Sequence, residues 1–323
     1  MASPNLSEIV TTTIRNRSKS LADNVTNNNA LLYKMNKAGT VKPFAGGRNI
    51  AQELEYAENS TYKRYSGYET LDISPSDVMT AAEFEIKQAA VAVSISGLEQ
   101  LQNSSKEQMI DLLESRIKNA EHTMQNNISA DIYSDGTADG GKQIGGLQSL
   151  VADDPTTGTV GGINRATYSF WRNQTYDATT DGGTAASASN ILAYMDTVYR
   201  SCSRNNDQPD LIVADDNYYG FFWNALQAQQ RFTQSEMADA GFNALKFNGA
   251  DVVFDGGLNG NCPSNHMYFL NTKYICLRPH KDRNFVPLDP DRFAVNQDAM
   301  VKLIGWAGNM TLSNASLQGV LKD

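Results

Sequence analysis

The stretch SSKEQMIDLLESRIKNAEHTMQNNISADIYSDG, Ser104 to Gly136, decides how the rest of the chain is read. Ser104 and Glu107 have the Ser-x-x-Glu spacing of a capping box, in which each side chain accepts from a backbone N–H near the helix start. Leu113, Ile117, Ala120, Met124 and Ile128 follow three or four residues apart, which places them on one helical face. Asp135-Gly136 ends the run. The pattern predicts one helix over 104–134, about 30 residues and on the order of 45 Å at the α-helical rise. No heptad repeat accompanies it, so the helix is a girder rather than a coiled-coil strand.

Immediately upstream, FEIKQAAVAVSISG (84–97) alternates, with Val91, Val93 and Ile95 on one face, and reads as a core strand. Residues 47–85 are rich in Tyr, Glu and Thr and read as a long β-hairpin, Tyr62, Tyr65 and Tyr68 with Ser66-Gly67 marking strand and turn. Few large aliphatics separate Leu54 from Leu71, and a two-stranded projection is marginal by itself. This segment is expected to rest on a neighbouring molecule. Residues 1–46 are polar and Asn-rich (DNVTNNNALLYKMNKAG) and read as an arm lying on another surface.

Downstream, residues 136–185 are rich in Gly, Thr and Asp and include TTGTVGGINRATYSFWRNQ (156–174), a glycine pair beside an aromatic-arginine cluster. SASNILAYMDTVYRSCSRN is a second amphipathic helix through Ile191, Met195, Val198 and Cys202. PDLIVA is a short buried strand, and a third helix through Phe222 and Leu226 follows Asp215 as N-cap. From Phe247 onward strand follows strand, with Asn271-Thr272-Lys273 where a hairpin turn belongs. Helices and strands without a regular alternation make the class α+β.

The 323 residues carry 41% hydrophobic and 20% charged side chains, the profile of an ordinary folded protein. No apolar run approaches the roughly 20 residues of a membrane span, and no membrane partner is expected. MASPNLSEIVTTTIRNRSKS lacks the apolar core of a signal peptide, and three cysteines are an odd number, which together suggest reduced thiols in a cytoplasm. The net charge of −9 is unevenly spread: residues 1–48 are basic, and the stretch through Glu99 is acidic. Such polarity can favour association between copies.

Candidate chemistry is thin. Cys262, His266, Cys276 and His280 form two Cys-x3-His spacings that suit zinc. The intervening hairpin would set His266 near His280 but leave Cys262 beyond it and Cys276 inside it, so the four would not converge. No serine lies in a Gly-x-Ser-x-Gly elbow. DGTADGGKQIGG (135–146) lacks the Gly-Lys-Ser/Thr ending of a phosphate loop and follows a helix instead of a strand. No catalytic residue, metal or cofactor is assigned.

The order of parts is specific: basic arm, projecting hairpin, strand, very long helix, Gly-rich compact domain, returning strands. With AVAVSISGLEQLQNS, GGLQSLV, GTVGGINRATYSFWRNQ, PDLIVADDNYY and AVNQDAMVKLIGWAGNMTLSN in that order, the chain resembles the major capsid protein of tailed bacteriophages, the Hong Kong 97-type fold. The resemblance implies an N-terminal arm (1–46), an extended loop (47–85), a peripheral domain with the spine helix (86–134 and 288–323) and an axial domain (135–287). It implies a virion protein, assembled in the host bacterial cytoplasm as hexamers and pentamers into an icosahedral shell that contacts packaged double-stranded DNA non-specifically. The arm is too short for a built-in scaffold, so either the chain is already processed or, as the initiating Met favours, a separate scaffolding protein is expected, with a portal and room for a decoration protein. Inter-subunit contacts are expected at Arg48, Glu53, Glu55, Lys63, Arg64, Arg165 and Arg172. Lys63 sits where one family member forms a covalent cross-link, which is not expected here. The rival readings are an encapsulin-type bacterial compartment of the same fold and a zinc-dependent cytoplasmic enzyme.

Overall fold

The computed structural model describes residues 29–102, 106–227, 244–255, 260–293 and 298–323. Its first element departs from expectation. Residues of the supposed arm form helix α1 (Ala30–Lys37), whose Ala30, Leu31, Leu32 and Met35 are fully buried in the chain's own core. Asn29 caps it, its Oδ1 accepting from the N–H groups of Leu31 (3.0 Å) and Leu32 (3.2 Å). Lys34 reaches Asp251 at 2.8 Å. The apolar run ALLYKM is enough to hold this part of the arm down; residues 1–28 lie outside the described residues.

Strands β1 (Asn49–Glu55) and β2 (Met79–Glu85) pair antiparallel from Asn49↔Glu85 to Glu55↔Met79. β3 (Lys87–Ser96) follows, then the short helix α2 (Gly97–Gln102) and the spine helix α3 (Lys106–Asp131). Ser104, and with it the capping box, lies outside the described residues. Ile117, Ala120, Met124 and Ile128 form the buried stripe. The helix ends at Asp131, earlier than residue 134: the Ala130 and Asp131 carbonyls accept from Tyr133 and Ser134 N–H in tighter turns (3.1 Å each), and the next carbonyl, Ile132 O, accepts from Leu147 N–H of the returning chain at 2.7 Å. Gly146 allows that approach, since a Cβ there would collide with the carbonyls of Asp131 and Ile132. The Arg116 guanidinium ties α3 back to the Ser94 carbonyl and the Glu99 carboxylate.

Beyond α3 lie the two-residue strands β4 (Thr159–Val160) and β5 (Ile163–Asn164), then β6 (Gln174–Asp177), α4 (Ile191–Ser201), β7 (Leu211–Ala214) and α5 (Asp216–Gln227). The remaining strands are β8 (Ala244–Phe247), β9 (Ala250–Phe254), β10 (His266–Leu270), β11 (Ile275–Phe293), β12 (Ala299–Leu312) and β13 (Gly319–Lys322). A six-stranded sheet of order β6-β13-β10-β7-β9-β8 forms the centre of the compact part. Alternate residues of its strands feed two cores. Leu211, Val213, Tyr268 and Leu270 join the core shared with α1 and α3. Ile212, Ala214, Met267 and Phe269 join the one under α4 and α5. A strand buried on both faces needs a continuous apolar run, hence LIVA.

Residues 271–274 do not make a hairpin. Asn271 caps a 3-10 turn, and Thr272 donates its N–H (2.7 Å) and hydroxyl (2.6 Å) to Asp210. That clamp carries the chain out of the six-stranded sheet into a second one, ordered β11-β12-β3. β11 enters this sheet at Ile275, ahead of the expected return at Leu288, and β13 goes back to the six-stranded sheet between β6 and β10.

Candidate assembly interface

The β1–β2 hairpin has two unlike faces. Cross-strand partners share a face, so Ile50 with Phe84 and Leu54 with Thr80 turn toward the body, where Ile50, Leu54, Ala82 and Phe84 are buried. The opposite face is exposed and carries Glu53, Glu55, Glu83 and Glu85. Asn49 donates to Glu83 (2.9 Å) and Lys87 pairs with Glu85 (2.7 Å), which lowers the Glu85 carboxyl pKa. The remaining charge faces solvent.

The connection from residue 56 to residue 78 contains no strand, contrary to the reading of its tyrosines. It is held by local bonds: Tyr56 hydroxyl to Asp77 carbonyl (3.0 Å), Thr61 N–H to Asn59 Oδ1, Ser74 N–H to Asp72 Oδ1, and the exposed pair Lys63–Glu69 (3.1 Å). Tyr62, Tyr65, Tyr68, Leu71 and Ile73 are all exposed, Ile73 to 92%.

The stretch at 156–174 is the socket for the hairpin. Glu83 N–H donates to Gly161 O (2.9 Å), and Gly161 adopts φ +57° against Ala82 and Phe84. Trp171 is buried, its indole N–H donating to Val160 O at 3.0 Å. Phe170 stacks on Tyr56 with centroids 5.2 Å apart. The stretch is thus spent on aiming a projection of the same subunit.

Two of the expected contact residues hydrogen-bond within their own subunit. Arg165 is 2% exposed and donates through Nη2 to the Leu150 carbonyl; burial pulls its pKa down to about 10. Arg172 donates from Nε to Arg165 O and from Nη2 to Ala166 O, both at 2.7 Å. Their guanidinium forks shape the socket. Arg48, Glu53, Glu55, Lys63 and Arg64 do lie on the surface along the hairpin. Arg48 and Arg64 have no ion pair among the described residues. Glu83 and Glu85, missed in the sequence, share the exposed face with Glu53 and Glu55; the spacing of two in both pairs was the available signal.

The zinc reading does not survive. His266 pairs through Nε2 with Asp153 (3.0 Å) and through Nδ1 with Ser264 O (2.7 Å), whereas His280 packs edge-on against Phe44 with centroids 5.0 Å apart. Cys276 lies in β11 opposite Thr311, and burial pushes the Cys262 thiol far above its ordinary range. Among the described residues no three or more His, Cys, Asp or Glu side chains are grouped to hold a metal.

A family model described as SU10 major capsid protein matches residues 82–303. No curated protein matches in sequence. Among solved structures, the capsid asymmetric unit of cyanophage A-1(L) is similar over 90% of this chain and 92% of its own, with 17% identity and a TM-score of 0.66. The capsid protein of Myoviridae phage XM1 covers 88% and 90%, with 12% identity and a TM-score of 0.51. The encapsulin of the holo-SrpI complex from Synechococcus elongatus PCC 7942 is similar in fold at 8% identity and a TM-score of 0.51, over 89% and 86%. The architecture is the Hong Kong 97-type capsid fold, and the family match separates this chain from the encapsulins. The chain belongs to the SU10 major capsid protein family, a structural component of a phage virion that associates with copies of itself to build the shell, and not an enzyme.

Proposed function

We propose that the chain tiles an icosahedral shell as hexamers and pentamers around double-stranded DNA, with the hairpin at 47–85 of each copy laid across the adjacent subunit. The observation that carries this is the contrast within the hairpin: a stem locked into the 156–174 socket, and a tip whose apolar side chains face solvent. A rigid stem lowers the entropy lost when the tip docks. In this reading 86–134 with 275–312 form the peripheral part and 135–274 with 313–323 the axial part. Arg48, Glu53, Glu55, Lys63 and Arg64 lie in the contact between copies.

A separate scaffolding protein, a portal and a decoration protein are proposed as partners of the shell. The net charge of −9 suits a wall that holds DNA without gripping it. The test is cryo-electron microscopy of the protein expressed alone and with its neighbouring genes. Closed shells are expected from the parent chain, and none from Tyr65→Ser/Ile73→Ser, whose subunits unfold at the parent temperature. Shells formed equally well by that variant would overturn the docking of the tip, and tight salt-sensitive DNA binding by the subunit would overturn the non-gripping wall.

A further inference from the structure

Between the spine helix, the N-cap of α1 and the segment after β9 lies a pocket of roughly 400 Å³ with a mostly polar wall. Its lining includes Asn29, Gln125, Asn126, Ser129, Asp255 and Asn261. Gln125 and Ser129 stand one turn apart on α3, 7% and 8% exposed, and neither has a hydrogen-bond partner among the described residues. Just past the helix end Tyr133 is buried, its hydroxyl set against the Asp255 carboxyl. Two polar side chains buried this far without a protein partner are costly unless something in the pocket satisfies them.

Asp255 is the sole charged residue in the described lining. Its Oδ1 accepts a long bond from Asn261 N–H (3.4 Å), and it forms no ion pair among the described residues. Burial raises its carboxyl pKa, which is what an enclosed carboxylate without a cation does. The wall thus offers one carboxylate and several neutral oxygens: the Gln125, Asn126 and Asn261 amides and the Ser129 hydroxyl. An anion would meet the Asp255 charge with no basic residue to offset it. An apolar ligand would leave every one of these groups unbonded. No sulfur or imidazole is in the described lining, so soft metals have no preferred ligand among these residues.

We infer that this pocket binds a hard metal cation of the calcium class, held by Asp255 and by the side-chain oxygens of Gln125, Ser129 and Asn261, with water completing the shell. Calcium accepts six to eight oxygens in flexible geometry, and neutral amide oxygens are among its usual ligands. An ammonium group has only three donors and would leave part of the wall unsatisfied. With a single carboxylate the affinity belongs to the weak end of calcium sites, about 10⁻⁴–10⁻³ M. The bound ion would join α1, α3 and the segment after β9.

The test uses the full-length subunit, with terbium as the luminescent probe and calcium as the competitor, magnesium serving as the ionic-strength control. Terbium emission excited through tyrosine is expected to rise to saturation, and to fall when calcium is added. Calcium is expected to raise the unfolding temperature more than magnesium does at equal ionic strength. Asp255→Asn, which keeps the shape of the side chain, should lose both effects; Tyr133→Phe should lose most of the emission and keep the thermal shift. An Asp255→Asn protein with the parent's calcium-dependent shift would overturn the inference. So would a parent protein without that shift, or shells in which a basic side chain of a second copy fills the pocket.

Discussion

The N–H of Glu83 donates to the carbonyl of Gly161 at 2.9 Å, and that bond fixes the hairpin stem to the socket that follows the spine helix. The two glycines of the socket do different things. A Cβ on Gly161 would sit 2.8 Å from the Ala82 Cβ and 3.1 Å from Phe84, at φ +57°. A Cβ on Gly162 would meet nothing within 4 Å, at φ +75°. Gly161→Ala is expected to cost about 2–4 kcal/mol, combining left-handed strain with overpacking, and Gly162→Ala only about 1–2 kcal/mol. Chemical denaturation of the two subunits checks the order; equal losses would mean the stem does not press on Gly161.

Arg165 should behave as a folding residue. Replacing it with Met keeps much of its volume but leaves the Leu150 carbonyl without its buried donor, an expected loss of about 1–3 kcal/mol of subunit stability. Lys63→Ala removes an exposed pair with Glu69 and should change subunit stability by less than about 0.5 kcal/mol. Thermal unfolding of unassembled subunits separates the two.

The buried helix α1 makes a similar claim. Leu32→Ala empties a fully buried site and is expected to cost about 2–5 kcal/mol, while Asn29→Ala removes the cap for about 1 kcal/mol. If α1 were only an arm resting on a neighbour, neither change would register in urea unfolding of the isolated subunit.

The His266–Asp153 pair gives stability a pH dependence of known sign. Burial alone would lower the His266 pKa, but the Asp153 bond, the Ser264 carbonyl and the nearby Asp215 charge outweigh it, and the net shift is upward. The bond from His266 is also the main reason the Asp153 carboxyl is held down, with Lys322 adding to it. A raised imidazole stabilises fully below its unfolded pKa near 6.5, and that contribution is lost as pH rises through the folded value. A lowered carboxyl stabilises above about 3.9 and loses its effect as pH falls through its folded value. The difference in stability between the parent and Asp153→Asn should therefore be largest between about pH 4 and 6.5 and shrink toward pH 8. A difference that stays flat across this range would show that the pair does not carry it.

The spine helix was legible because its pattern is local: Ile117, Ala120, Met124 and Ile128 repeat at helical spacing whatever they pack against. The same holds for β3, where Val93 and Ile95 are buried at a spacing of two. The 271–274 segment misled because strand–turn–strand spacing is also local, whereas the clamp that redirects the chain is Asp210, far away in sequence. The exposed acidic face of the hairpin could be seen only in part, since Glu83 joins Glu53 and Glu55 through cross-strand register.

Periodicity and the order of parts in the sequence thus determined the α+β class, the girder and the resemblance to phage capsid subunits, because each depends on side chains a few residues apart. Tertiary structure alone decided which charges face outward. Arg165 looks like a surface arginine in sequence but is buried and donates to the Leu150 carbonyl, Arg172 donates to carbonyls of its own socket, and the ALLYKM run of the arm is core. Burial is set by contacts between distant segments, as between Lys34 and Asp251, and no local pattern encodes that distance.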